Sequence, residues 1–305
     1  MASQNATTGN LGNVQETIIN AARFVQEHNA PSWQLIEKIP LPQGASTVRV
    51  PKVGQFVVSD LVDGQDMTDE QSIGLTYVDL TSTERGAKII VTDKLVRQNG
   101  TTPIFSMIGR QFGDAAARKQ DRDTQALYSA LNGGTAFGAA ASSMGLGAFA
   151  GAIARARGGG KSSTSASAET GFESFNPTYA IVHPHSAYDV VQSATAIGSG
   201  TSMKVNDQRE ERYLQSFFTG ISFNGVDLYE SGNINVDSSG DMTGVIAQRD
   251  ALVGLTSVSW RTERQRDASA RGFELNHVAD YGVFELDDKK GAPLLYDAGV
   301  PGTSS

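Results

Sequence analysis

The chain has 305 residues, 39% of them hydrophobic, and a net charge of −8, which is room for one large domain or two ordinary ones. It has no cysteine, which excludes a disulfide framework, a thiolate metal site and a cysteine nucleophile. The acidic balance argues against a dedicated nucleic-acid-binding module, which carries a basic footprint, but suits a protein that surrounds nucleic acid without gripping it.

Residues 1–13 are rich in Asn, Thr and Gly and read as a loose arm, without the basic start and apolar run of a secretory signal. No apolar stretch approaches the ~20 residues of a membrane span. Val14 to His28 reads as a short amphipathic helix with Ile18, Ala21, Ala22 and Val25 on one face, ended by Ala30-Pro31-Ser32. The pattern then changes to strands. Ser46 to Val50 alternates, Gln55 to Val58 continues extended, and Leu75 to Leu80 with Lys88 to Val91 makes a second set. Between the sets lie Asp60, Asp63, Asp66, Asp69 and Glu70. The expected arrangement is a long two-stranded hairpin with an acidic tip, too thin to be stable alone and so in need of a surface to lie on. The acidic spacing of three does not match a calcium loop, which uses every second residue and a central glycine.

From Thr102 to Asn132 the sequence predicts one long helix, the element around which the chain is organised. Thr102 suits the cap and Pro103 the first helical position. Ile104, Met107, Ile108, Phe112, Ala115 and Ala116 form an apolar stripe, resumed at Ala126, Leu127, Ala130 and Leu131. Asn132-Gly133-Gly134 is a stop signal. The expected length is about 43 Å. Its middle, with Arg118, Lys119, Asp121, Arg122 and Asp123, reads as half-solvated, with Asp114–Arg118 and Lys119–Asp123 as i,i+4 pairs. Packed ends with a polar middle suit a helix that bridges separate parts of a molecule.

Gly133 to Ser174 is dominated by small residues and reads as loop plus one short alanine-rich helix. Gly145 to Ala150 matches a degenerate dinucleotide fingerprint but lacks a preceding strand, and Gly159-Gly160-Lys161-Ser162 lacks the first glycine of a phosphate loop. Gly158 to Ser167 reads as an exposed loop. Tyr179 to Val182 is a short buried strand, and Pro184 opens a helix. His183 and His185 flank that proline; without a third ligand at a supporting spacing they read as structural rather than metal-binding. Phe217 to Tyr229 alternates around an Asn224-Gly225 hairpin turn. Gly244 to Ala247 reads as a strand, Ala251 to Gly254 as a turn or short helix, and Ser257 to Trp260 and Val283 to Leu286 as strands. Arg261 to Arg271, of mixed charge, reads as a solvated face between the last two. There is no G-x-S-x-G elbow and no H-E-x-x-H pair, and no carboxylate pair is singled out. The sequence therefore predicts no catalytic residues, metal or cofactor.

The order of these elements resembles the major capsid proteins of tailed double-stranded DNA phages, the Hong Kong 97-type capsid fold. Local patterns are similar too. Gly86 to Asp93 resembles the second hairpin strand leading into the spine helix. Ala180 to Pro184 resembles the strand-to-helix step of the axial domain, and Gly220 to Ser231 the strand pair that closes it. Arg249 to Val253 and Tyr281 to Val283 resemble the return to the peripheral domain. The implied fold is α+β, with an N-terminal arm (1–41), an extended β-hairpin loop (42–95), the spine helix of the peripheral domain (96–134), an α/β axial domain with a small-residue-rich insertion (135–250), and returning strands with a C-terminal tail (251–305).

What the resemblance implies is a non-enzymatic, self-assembling protein. Copies would form hexamers and pentamers of an icosahedral virion shell, built in the host cytoplasm, that encloses DNA without sequence-specific binding. Some relatives carry a long N-terminal scaffolding segment; only about forty residues precede the first hairpin strand here, so a separate scaffolding protein is expected, with portal and decoration proteins as further partners and no membrane. Asp60, Asp63, Asp66, Asp69 and Glu70 are expected to dock on a neighbour's basic surface, with Arg110, Arg118, Arg122, Arg261, Arg264 and Arg266 as candidates. Ile108 and Phe112 are expected to pack against Trp260 and Phe284. Two alternatives remain open: an encapsulin-like cellular compartment of the same fold, and an unrelated enzyme or glycan-binding protein.

Overall fold

A computed structural model describes residues 31–42, 44–53, 63, 75–98, 104–159, 174–198 and 221–301. Chain order gives α1 (Ser32–Leu35), β1 (Glu37–Pro40), β2 (Thr47–Val53), β3 (Leu75–Thr81), β4 (Thr83–Thr92), α2 (Asp93–Gln98) and the long α3 (Ile104–Gln125). A 3-10 segment (Tyr128–Gly134), β5 (Phe137–Gly138), α4 (Leu146–Gly158), β6 (Tyr179–Val182) and α5 (Pro184–Gly198) follow. Then come β7 (Ile221–Phe223), β8 (Val226–Glu230), β9 (Asp241–Ala247), β10 (Leu252–Asp267), β11 (Gly272–Glu285) and β12 (Gly291–Asp297). The helix expected over Val14 to His28, the strand over Gln55 to Val58 and most of the Gly158 to Ser167 loop lie outside the described residues.

Among the described residues there are three sheets: four strands in the order β1-β10-β11-β4, six in the order β5-β12-β9-β6-β8-β7, and the two-stranded ribbon β2-β3. The hairpin is narrower than expected. β2 pairs with β3, Thr47 opposite Thr81 and Val53 opposite Leu75. Lys88 to Val91, expected in the hairpin, instead pairs with β11, Ile89 opposite Leu275. The chain changes sheets at Ser82, whose hydroxyl donates to Asp280 Oδ2 at 2.8 Å. Ala251 to Trp260 is not a turn followed by a strand; Leu252 to Asp267 is one strand of 16 residues, and the charged run beyond Trp260 belongs to it. It folds back at Arg271 (φ 49°) into β11. Most of its outer half is exposed, so its arginines and glutamates keep water and do not oppose a strand conformation. The stretch 251–305 is also divided: β12 leaves the four-stranded sheet and inserts into the six-stranded one, between β5 and β9.

The long helix is shorter than predicted, 22 residues, about 33 Å at 1.5 Å per residue. After Gln125 the α-helix gives way to a tighter i→i−3 turn, in which the Leu127 N–H donates to Thr124 O. Asn132 (φ 56°) and Gly133 (φ 58°) then take left-handed conformations and end the 3-10 turns that follow it. This is the conformation that glycine and asparagine accept at least cost. The apolar stripe holds at Ile104, Ile108, Phe112 and Ala116. These residues do not meet both expected partners. Ile104, Ile108 and Phe112 pack with Val91, Leu95 and Leu275. Phe112 stacks on His277 at 5.3 Å, and His277 stacks on Trp260 at 4.8 Å. Phe284 lies in another cluster with Leu80, Val253 and Leu255. The middle is also not uniformly half-solvated: Asp121 and Thr124 are fully buried. The Lys119–Asp123 pair forms at 2.7 Å, and Asp123 also takes the Tyr281 hydroxyl at 2.8 Å and the Arg85 guanidinium.

The main core lies in the six-stranded sheet. Tyr179–Val182 is buried at every position, as a strand covered on both faces must be. Ile153 and Ala156 of α4, Val190 of α5, and Tyr128 and Leu131 from beyond α3 fill it. Gly244 is required there: an added methyl would run into the Ile181 carbonyl oxygen. Asn224-Gly225, with φ of 52° and 77°, turns β7 into β8 as the sequence signal requires.

Candidate functional site

The β2-β3 ribbon is two-faced. On one side Val48, Val50, Val78 and the buried Leu80 pack against Val253, Leu255 and Phe284 of the four-stranded sheet. Near the end of β2, Lys52 Nζ reaches Asp287 Oδ1 at 2.5 Å. The other side stays open. Leu75 and Tyr77 are 48% and 55% exposed, large values for residues of that size on a strand with β-forming character. Arg49 lies 5.5 Å from the Tyr77 ring centroid and forks onto Asp79 at 2.6 and 2.9 Å. Those hydrogen bonds hold the Asp79 carboxyl below the usual carboxylate range. The sequence reading passed over this face, although the alternation Leu75, Tyr77, Asp79 marks it.

Of the acidic tip, Asp63 is exposed in a turn, and Asp60, Asp66, Asp69 and Glu70 lie outside the described residues. The candidate basic partners are not equivalent. Arg110 and Arg122 are exposed on α3, and Arg118 is half-buried with contacts of its own. Arg261 pairs with Glu263 along the same strand at 2.9 Å. Arg264 lies 3.9 Å from the Phe273 ring centroid. Arg266 forks onto Asp93 at 2.5 and 2.6 Å, tying β10 to the start of α2. That hydrogen bonding keeps the Asp93 carboxyl below its ordinary range and raises Arg266. Arg266 is therefore committed within its own subunit, whereas Arg110 and Arg122 present their charge outward.

The residues that invited a chemical reading have local roles. The His185 backbone N–H donates to His183 Nδ1 at 3.3 Å, the rings meet edge to face at 4.5 Å, and His185 Nδ1 lies 3.0 Å from Ala298 O. The pair joins the start of α5 to the chain leaving β12. Among the described residues no three His, Cys, Asp or Glu side chains converge as metal ligands, and no helix is long and apolar enough to cross a membrane. Gly145-Leu146-Gly147 does open a helix, but the Leu146 N–H at its start is taken by Ser193 Oγ at 2.7 Å.

What the geometry offers is a set of surfaces for association: a thin ribbon whose open face carries Leu75, Tyr77 and the Arg49–Asp79 pair, a long helix with outward arginines, and an exposed charged sheet edge. The fold is shared with shell-building proteins. It is similar to a structure described as the capsid of Myoviridae phage XM1, at 12% identity, covering 97% of this chain and 100% of that one, with a TM-score of 0.63. It is also similar to a structure described as Mycobacterium phage Che8 (15% identity, 97% and 94% covered, TM-score 0.60). A third likeness is to the holo-SrpI encapsulin complex from Synechococcus elongatus PCC 7942 (13% identity, 90% and 91% covered, TM-score 0.58). No curated protein matches the chain. The family described as phage capsid protein matches residues 77–293, the greater part of the chain, and the chain belongs to that family.

Proposed function

We infer that the protein is the major capsid protein of a tailed double-stranded DNA phage, and that copies of it assemble into the icosahedral shell of the virion. The observation that carries this is the family match over residues 77–293, which takes in most of the ribbon strand β3, the long helix, and the two larger sheets apart from β1 and the end of β12. In this reading the four-stranded sheet and α3 form the peripheral domain and the six-stranded sheet the axial one. The ribbon, its tip and the outward arginines make contacts between neighbours. Assembly takes place in the host cytoplasm with a separate scaffolding protein, a portal and decoration proteins, and the shell encloses DNA without sequence-specific contacts. The protein performs no catalysis. The likeness to an encapsulin supports a second reading, a compartment that carries protein instead of DNA.

Purified protein, with scaffold supplied if needed, is expected to give closed shells in negative-stain images and fast-sedimenting particles. A stable monomer or dimer under all such conditions would refute the shell reading, and particles from cells that hold an enzyme and no phage DNA would favour the compartment. Within the shell, Asp63, Asp66 and Asp69 changed together to Asn should weaken assembly and its salt dependence without altering the subunit's melting. Exposed ion pairs are each worth about 0–1 kcal/mol, so the effect must come from repetition around the shell, with Arg110 and Arg122 as the available partners. Unaltered assembly in the triple variant would reject the contact.

A further inference from the structure

The long helix serves two bodies. Its first half, through Ile104, Ile108 and Phe112, packs on Val91, Leu95 and Leu275 of α2 and the four-stranded sheet. The chain beyond its last turn, through Tyr128 and Leu131, is built into the core of the six-stranded sheet. Asp121 lies between the two and is fully buried. Its Oδ1 accepts the Ser32 backbone N–H at 2.9 Å, where α1 begins. Its Oδ2 accepts Gln125 Nε2 at 2.7 Å, the Ser231 hydroxyl at 2.8 Å and Asn233 Nδ2 at 3.0 Å. Ser231 and Asn233 follow β8, and the Ser231 N–H is bonded to Val182 O of β6 at 3.0 Å. Gln125 Nε2 also approaches Ser231 Oγ at 2.9 Å and Ser32 Oγ at 3.3 Å. One carboxylate thus gathers three segments that lie 89 and 110 residues apart in sequence.

Burying a carboxylate is costly, and a well-packed apolar side chain often does as much for stability. What four directed hydrogen bonds add is geometry. An apolar contact between a helix and a loop tolerates sliding, whereas donors aimed at two oxygens admit one arrangement. We propose that Asp121 is a conformational joint that sets the angle between the four-stranded and six-stranded sheets. Its consequence, control of the curvature at which subunits meet, rests on the reading as a shell protein; the joint itself is a property of the subunit.

Asp121→Asn tests it. The amide can still accept the Ser32 N–H, but it then turns its own N–H groups toward the Gln125, Ser231 and Asn233 donors. The chain is free of cysteine, so Gln265→Cys on exposed β10 and Ser238→Cys beside β9 can carry spin labels without background. Pulsed electron paramagnetic resonance should give one narrow distance distribution in the labelled parent. It should give a broadened or two-peaked distribution with Asp121→Asn, and the narrow one again in Asp121→Asn combined with Asn233→Asp, which restores a donor–carboxylate pair. Leu228→Ala, which loosens the same core, should lower the melting temperature and leave the distribution narrow. An unchanged distribution in Asp121→Asn, equal broadening in Leu228→Ala, or no recovery in the exchanged pair would overturn the joint. Where Asp121→Asn does not fold, Ser231→Ala and Asn233→Ala, each removing one donor, must broaden the distribution, and a narrow one in both overturns the proposal. Distances that behave as expected in a protein that forms no shells would leave the joint standing and refute the capsid reading.

Discussion

Phe112→Ala probes the contact that seats the long helix. The ring is 9% exposed and belongs to a small cluster with Val91, Leu95, Ile104, Ile108 and Leu275. It lies nearly parallel to His277, at 6° and 5.3 Å, and His277 stacks in turn on Trp260. Truncating a packed Phe to Ala costs about 3–5 kcal/mol, and losing an aromatic neighbour about 0.5–1.5 kcal/mol beyond area alone. The cluster is small and near the surface, so partial collapse places the expected loss at about 3–4 kcal/mol. Against a domain stability of about 5–15 kcal/mol, the variant should be largely insoluble or strongly destabilised. At about 2–4 °C per kcal/mol for chains of this order, the melting temperature should fall by about 6–16 °C. Circular dichroism melts at one scan rate measure this, with Gln111→Ala, an exposed neighbour on the same helix, as the control that should melt like the parent. Near-ultraviolet dichroism should change as well, because Trp260 loses its stacked column. Parental melting and an unchanged aromatic spectrum in Phe112→Ala would mean that α3 is not packed on that face.

Gly113→Ala should raise subunit stability by about 0.5–1 kcal/mol, the usual gain for replacing a helix-interior glycine, because an added methyl there meets nothing within 4 Å; denaturant melts measure it, and a loss of stability would contradict the exposed position. His277 is held below its ordinary 6.5 by burial, so the folded state favours the neutral ring. Its contribution is complete above pH 6.5 and is lost as the pH falls through the lower folded-state value. His277→Gln should therefore flatten the decline of melting temperature below pH 6.5, and an identical pH profile in parent and variant would refute the assignment. Gly254→Ala should displace Trp33, whose ring lies 2.7 Å from where the new methyl would be, and red-shift the tryptophan fluorescence; an unshifted spectrum would place Trp33 elsewhere.

The sequence by itself determined the elements whose signals are local. Asn132-Gly133 ends the 3-10 turns after the long helix, Asn224-Gly225 turns a hairpin and Pro184 opens a helix because φ preferences act on one or two residues at a time. The stripe Ile104, Ile108, Phe112 and the unbroken apolar run of Tyr179 to Val182 show which surface is buried, because periodicity follows the geometry of one element. Neither names the surface opposite. Lys88 to Val91 alternates as well for β11 as for a hairpin partner, and only tertiary pairing decided between them. The charged run after Trp260 reads only as a solvated face because charge predicts exposure, and an exposed outer strand satisfies that as well as a loop does. Asp121 shows the limit most clearly. Within its helix it is one of five consecutive or near-consecutive charges and looks solvated. Ser32, Ser231 and Asn233, brought to it from distant parts of the chain, supply the donors that make its burial tolerable, and no window of sequence around residue 121 contains them.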